Sequence, residues 1–282
     1  MSLVTRDLAP RIATEVTIDL ETLVSGRFAR ELRELLVARG VLVFRNLQAM
    51  TDEQQVRFGS TIGTVRLEHG NTSTRITADR TQSPIFADYT LGTYFYHIDG
   101  LYTDTPGFAS ILRPKVIAPE GGQTEFCNTY ALYEDMDPAD RALADRLEAV
   151  HLVEHTMRMA IPEPTQAQLD HWGAGVNPPH THPLVWEHET GRRSLLLSSS
   201  ITHFIGLDPD QGAALLGRLM AMAEDRRYAY THDWQPGDVL VWDNTGTMHR
   251  VIPFDLDCGR TLERVVLLGE ERIRGVREVA PA

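Results

Sequence analysis

Residues 238–270 read DVLVWDNTGTMHRVIPFDLDCGRTLERVVLLGE. Three apolar runs, DVLVWDN, MHRVIPF and TLERVVLLGE, are separated by Gly, Pro, Asn and Asp, the residues that make turns, so the stretch reads as strands joined by turns. Working back toward the N-terminus, YFYHID, FASILR and QTEFCN have the same character from residue 94 onward. Helices are expected at Asp137-Pro138 and Asp208-Pro209, where a capping aspartate precedes a proline suited to the first helical turn. Residues 27–47 read as a helix and then a strand: Phe28, Leu32, Leu35 and Leu36 recur at helical spacing, Gly40 suits the helix end, and VLVFRNL is a short apolar run. Thr51 with Gln54 is a capping-box pattern that opens a second helix, ending near Gly63. Many short strands with a few flanking helices, and no internal repeat, imply a mainly β protein with flanking helices, a β-sandwich or jelly roll.

The 282 residues lie within the range of one sandwich or barrel domain, so a single domain over residues 1–282 is expected. Two long polar or Pro/Gly-rich stretches are expected to border an active site, about 64–93 as a wall and 155–183 as a lid, with a simple surface excursion the alternative for the second. The formal charge of −12 argues against a nucleic-acid partner, which needs a basic face. Cys127 and Cys258 lack paired-ligand spacing, which excludes a thiolate-rich zinc or iron–sulfur site and fits a reducing compartment. No apolar run approaches the roughly 18 residues of a membrane span, and the first residues lack the apolar core of a secretion signal. A cytoplasmic protein with no membrane partner is expected.

His97-Ile98-Asp99 carries the first chemical signal, because alternation along a strand points an imidazole and a carboxylate to one side. Alone it is weak: eleven histidines and 39 acidic residues make about one or two such pairs by chance. WDNTGTMHRV adds His249 as a third ligand. Two histidines and a carboxylate on one face of an ion leave the opposite face open, a set suited to Fe(II). Arg260, Leu262 and Arg264 share a face in a strand-like run, and a guanidinium fork is shaped for a carboxylate, so the site calls for an anion. Surface arginines pairing with Glu263 or Asp257 are the alternative. Tyr94, Phe95, Tyr96 and Tyr102 line a pocket or simply pack. Trp242 and Asn244 are expected to support the turn that delivers His249. His180 and His182 have metal-like spacing, but surrounding prolines and the lack of an acidic partner speak against a second metal site.

Taken together, H-I-D at 97–99, P-E-G-G-Q-T at 119–124, V-W-D-N-T-G-T-M-H-R at 241–250, Arg260 and Arg264 resemble the taurine dioxygenase and phenoxyacetate dioxygenase family of 2-oxoglutarate-dependent oxygenases. Thr124 lies 27 residues after His97 and Arg260 lies 11 after His249, the spacings at which the family carries its co-substrate threonine and arginine. The resemblance implies a double-stranded β-helix core and the cofactors Fe(2+), 2-oxoglutarate and O2. It makes His97, Asp99 and His249 the catalytic iron ligands. Thr124 and Arg260 would bind 2-oxoglutarate, and Arg264 either 2-oxoglutarate or an acidic group on the substrate. The implied reaction is hydroxylation, desaturation or epoxidation of a small, carboxylate-bearing molecule, with succinate and CO2 as co-products. Tailoring of a terpenoid lactone and catabolism of a sulfonate or aryloxyalkanoate both fit. Thr93 stands where the taurine-specific enzyme has asparagine, which speaks against taurine, and Asp99 leaves no place for a halide. A homo-oligomer is expected from the relatives. A zinc hydrolase would use the same three ligands but not Thr124 and Arg260, and a non-catalytic relative would not need the ligands intact.

Overall fold

A computed structural model of the protein describes residues 3–79, 81 and 86–276. The strand Val239–Asp243 lies in the middle of a seven-stranded sheet, between Val41–Phe44 and Ala109–Val116. Outward from these come Thr14–Thr17 and Val4–Asp7 on one side, and Thr261–Val266 and Thr74–Thr77 on the other. Successive side chains of a strand point to opposite faces. Val239 and Val241 accordingly join one apolar cluster and Leu240 and Trp242 another. Both faces are covered, which is why this run is apolar throughout rather than alternating.

On one face, Leu23, Leu32, Leu36, Phe58 and Ile62 of the helices Leu20–Val24, Ala29–Arg39 and Asp52–Ile62 pack against Phe44, Ile111 and Val265. The expected helix and strand of residues 27–47 are present, with Gly40 at φ +73° closing the helix in a conformation that favours glycine. Thr51 and Gln54 complete both halves of the capping box. The other face meets a three-stranded sheet, Thr124–Asn128 flanked by Ala229–His232 and Thr247–Val251. Phe126 and Trp234 pack there against Leu112, Leu240, Trp242 and Leu262. These two facing sheets are the jelly-roll core. Beyond the smaller sheet, the helices Thr129–Glu134 and Pro209–Ala223 bury Ala131, Leu132, Leu215 and Leu219 near Cys127 and Met248. Asp137 and Asp208 cap their helices as expected.

Three stretches depart from expectation. YFYHID is not a strand: the helix Phe86–Gly92 runs up to it, Tyr94 and Phe95 bond back to that helix, and His97 makes a single bridge with His249. Residues 64–93 are not irregular throughout, since Val65 bridges Leu267 and Thr74–Thr77 pairs with Thr261–Arg264; residues 80 and 82–85 lie outside the described residues. Residues 155–183 contain most of the helix Val153–Ala160, the helix Gln166–Trp172 and the strand His180–Pro183. The two stretches meet: Gln168 Nε2 donates to Asp88 Oδ2 at 2.9 Å and the Tyr89 hydroxyl to the His171 carbonyl at 3.3 Å. Among the described residues no helix is long and apolar enough to cross a membrane.

Candidate active site

His249 sits on the strand Thr247–Val251 opposite Phe126, and its ring lies 4.7 Å from that of Trp242. Burial, then repulsion from His97, pushes its pKa down to about 3, so the imidazole is neutral at physiological pH. The reciprocal bridge brings His97 alongside, with backbone bonds of 2.9 and 2.8 Å. His97 Nδ1 lies 2.9 Å from the Phe95 carbonyl, an acceptor, so this nitrogen donates there and Nε2 is the one turned toward Asp99. Asp99 follows in a turn at Gly100, φ +83°. Its peptide is held by the buried Asn244, which accepts from the Asp99 N–H at 3.0 Å and donates to the Asp99 carbonyl at 2.9 Å and the Gly107 carbonyl at 3.0 Å. Burial raises the Asp99 pKa, but His249, Arg264, His97 and Arg66 outweigh it, and the carboxyl titrates below its ordinary value.

The three side chains converge, one ligand atom of each lying within 4.8 Å of the others. Both Nε2 atoms face Asp99 Oδ1, at 3.8 and 4.0 Å, too far for hydrogen bonds. A neutral imidazole at His249, a second imidazole held by its Nδ1, and an ionised carboxylate fit Fe(II). No other such group occurs among the described residues: His182 Nε2 instead donates to the Leu101 carbonyl at 2.8 Å.

Arg260 is 4% exposed, and its Nε and one terminal nitrogen donate to the Gly122 carbonyl at 3.2 and 2.9 Å. Its guanidinium lies 4.9 Å from the centre of the Phe254 ring. Burial lowers its pKa to about 10, which leaves it cationic at neutral pH. No acidic side chain among the described residues forms an ion pair with it, so this is a buried cation in want of an anion. Thr124, two residues beyond Gly122, is fully buried, and its hydroxyl accepts from Trp234 Nε1 at 3.1 Å, which leaves the hydroxyl proton to donate elsewhere.

Arg264 is placed differently. One terminal nitrogen donates to Glu68 Oε1 and Oε2 at 3.2 and 3.1 Å, and the other lies 3.6 Å from Asp99 Oδ2. Glu68 comes from the turn Glu68–Asn71, where His69 and Gly70 both have positive φ. Side-chain exposure rises from 8% at His249 to 20% at His97 and 28% at Asp99, so the cluster opens on the Asp99 side. Arg66 and Tyr102 lie there too, 3.5 Å apart at their polar ends.

Of the aromatic residues near His97, Tyr96 belongs to the core and donates to Glu125 at 2.7 Å, whereas Tyr102 is 48% exposed. Asn244 holds the peptide of Asp99 rather than the turn before His249, a correction to its expected part. Glu68 and Arg66 went unmarked in the sequence because a polar turn gives no periodic signal.

Residues 5–266 match the taurine catabolism dioxygenase TauD, TfdA family. An alpha-ketoglutarate-dependent 2,4-dichlorophenoxyacetate dioxygenase of Cupriavidus pinatubonensis is 29% identical, the match covering 96% of this chain and 99% of the relative. An alkylsulfatase of Acinetobacter baylyi is 30% identical over 94% of this chain and 84% of the relative. A pentalenolactone F synthase of Streptomyces arenae is 36% identical over 54% of this chain and 53% of the relative. The crystal structure of AAD-2 in complex with Mn(II) and N-oxalylglycine aligns with a TM-score of 0.81 at 27% identity, over 97% of this chain and 100% of that one. The chain belongs to the taurine catabolism dioxygenase TauD, TfdA family.

Proposed function

We propose that this single-domain, cytoplasmic protein is an Fe(II)- and 2-oxoglutarate-dependent dioxygenase that oxidises a small organic molecule, releasing succinate and CO2. The observation that carries this reading is the pairing of the His97, Asp99 and His249 cluster with a buried arginine that has no acidic partner among the described residues. His97, Asp99 and His249 would hold the iron; Arg260 and the Thr124 hydroxyl would hold the far carboxylate of 2-oxoglutarate. Iron and 2-oxoglutarate, once bound, supply with dioxygen the oxidising chemistry that side chains lack. The chain supplies position and exclusion of water: Trp242 and Phe126 wall the inner side of His249. Tailoring of a metabolite and catabolism of an aryloxyalkanoate or sulfate ester remain within this reading, since the relatives' names span both.

Anaerobic titration of the metal-free protein with Fe(II) and 2-oxoglutarate tests it. We expect the weak visible charge-transfer band of a chelated iron–oxoacid complex, lost in Asp99→Ala. Arg260→Ala should raise the 2-oxoglutarate concentration for half-saturation about thirtyfold or more, the equivalent of roughly 2 kcal/mol or above for truncating one partner of a buried charged pair. Tight zinc binding without the band, or an Arg260→Ala protein that saturates as the wild type does, would overturn the assignment.

A further inference from the structure

Among the described residues Arg264 is the guanidinium nearest the three-ligand cluster, and it lies on the side where that cluster opens. An arginine so placed is the natural handle for an acidic substrate. In this chain its charge is already opposed twice. Glu68 takes one terminal nitrogen through both carboxylate oxygens, and Asp99 faces the other. Glu68 is itself held: the Thr74 hydroxyl donates to its Oε2 at 2.9 Å, and Thr74 is the register partner of Arg264 across the strand pair. The turn that carries it is closed by reciprocal backbone bonds between Glu68 and Asn71, at 2.8 and 2.9 Å. Glu68 is thus built into the rim. Arg66 lies 3.5 Å from the Tyr102 hydroxyl and feels the charges of Glu68 and Asp99, so among the described residues the rim sets two guanidinium groups against Glu68 and the Asp99 carboxylate that would hold iron. An incoming carboxylate or sulfate would have to displace Glu68 or lie beside it, at the cost of like-charge repulsion in a partly buried place. A neutral molecule avoids that cost. Glu68 Oε1, which among the described residues accepts only from Arg264, retains a lone pair for a donor on such a molecule.

We propose that Glu68 withholds Arg264 from the prime substrate and sets this site against carboxylate, sulfonate or sulfate groups, in favour of an uncharged substrate bearing a hydroxyl or amide N–H. The inference rests on the oxygenase reading for the place of the substrate, and replaces the expectation of an acidic substrate that Arg264 had suggested.

The test is calorimetric binding of phenoxyacetate and of its uncharged counterpart 2-phenoxyacetamide to the anaerobic Fe(II)–2-oxoglutarate protein, for the wild type, Glu68→Gln and Glu68→Ala. The wild type should bind the amide more tightly than the acid. Both variants should bind the acid at least about tenfold more tightly than the wild type does, the scale of one freed charge-assisted contact, and the gain should vanish in Glu68→Gln/Arg264→Gln. Acid affinity unchanged in both Glu68 variants, or a wild type that prefers the acid, overturns the proposal. Absence of the charge-transfer band in the wild type would instead overturn the oxygenase reading, so the two failures are told apart.

Discussion

Two arginines four positions apart, Arg260 just before the strand Thr261–Val266 and Arg264 within it, show how little residue type decides by itself. Arg260 is buried against Gly122 with no acidic partner among the described residues, whereas Arg264 bridges Glu68 and Asp99. The first is poised for an anion; the second is neutralised within the protein. Asn244 makes the same point for positioning. The three hydrogen bonds of its side chain go to the backbone of Asp99 and Gly107, so it sets where the Asp99 carboxylate stands without touching the ligand atoms. Asn244→Ala should therefore weaken Fe(II) binding by about ten- to a hundredfold, as loss of a group that orients a metal ligand does. It should leave the neutral state of His249 unaltered, because burial sets that. Anaerobic metal titration of the variant, beside urea unfolding to separate metal affinity from stability, checks this; an unchanged Fe(II) affinity would remove Asn244 from the positioning of Asp99.

At the scale of elements, the turn between Val239–Asp243 and Thr247–Val251 aims His249, and it is shaped by a glycine for a steric reason. A Cβ at Gly246 would lie 1.6 Å from Cε2 of Tyr130, a buried ring whose hydroxyl bonds to Thr245 at 3.1 Å. The Gly246 carbonyl also accepts from the Thr129 N–H at 2.9 Å, which fixes the turn to the start of the helix Thr129–Glu134. Gly246→Ala should cost about 3 kcal/mol or more of overpacking, and Gly246→Ala with Tyr130→Leu should cost less than the sum of the single changes. Urea unfolding of the four proteins measures the coupling, and strict additivity would mean that the clash is relieved elsewhere. The same region shows what could be read in advance. Strands such as Val239–Asp243 and Thr261–Val266 were legible because apolar runs between turn residues have few other solutions. Strand alternation, which points His97 and Asp99 to one side on paper, is not what the fold uses: a single bridge and a turn bring them together with His249. Thr165 and Gln168, a complete capping box, announce the helix Gln166–Trp172, yet neighbouring prolines obscure it. Glu68 was illegible, since its role depends on a turn meeting a strand nearly 200 residues away.

For the whole molecule, a buried histidine outside the active site contributes to how the protein meets acid. His151 ends the strand Glu148–His151 opposite His180; its Nδ1 shares a hydrogen bond with the Ser200 hydroxyl at 2.9 Å, and its Nε2 is buried without a partner among the described residues. Burial, followed by repulsion from His182 and His180, lowers its pKa from 6.5 to about 3. The unfolded chain therefore takes up a proton at His151 near pH 6.5 while the folded chain refuses it until near pH 3. Its contribution to stability is complete above pH 6.5 and is lost progressively as the pH falls through that window, at about 1.4 kcal/mol per unit. Asp243 acts in the opposite sense: burial raises its pKa from 3.8 to about 6, so acidification in the same window relieves an ionised buried carboxylate. The two trends offset each other in the wild type, and only a comparison isolates the histidine. Between pH 6.5 and 5, the metal-free wild type should lose about 2 kcal/mol more stability than His151→Asn, whose side chain still bonds to Ser200 but does not titrate. Urea unfolding at the two pH values measures the difference; parallel losses in both proteins would mean that His151 is protonated in the folded state and that the His151, His180 and His182 cluster is open to water.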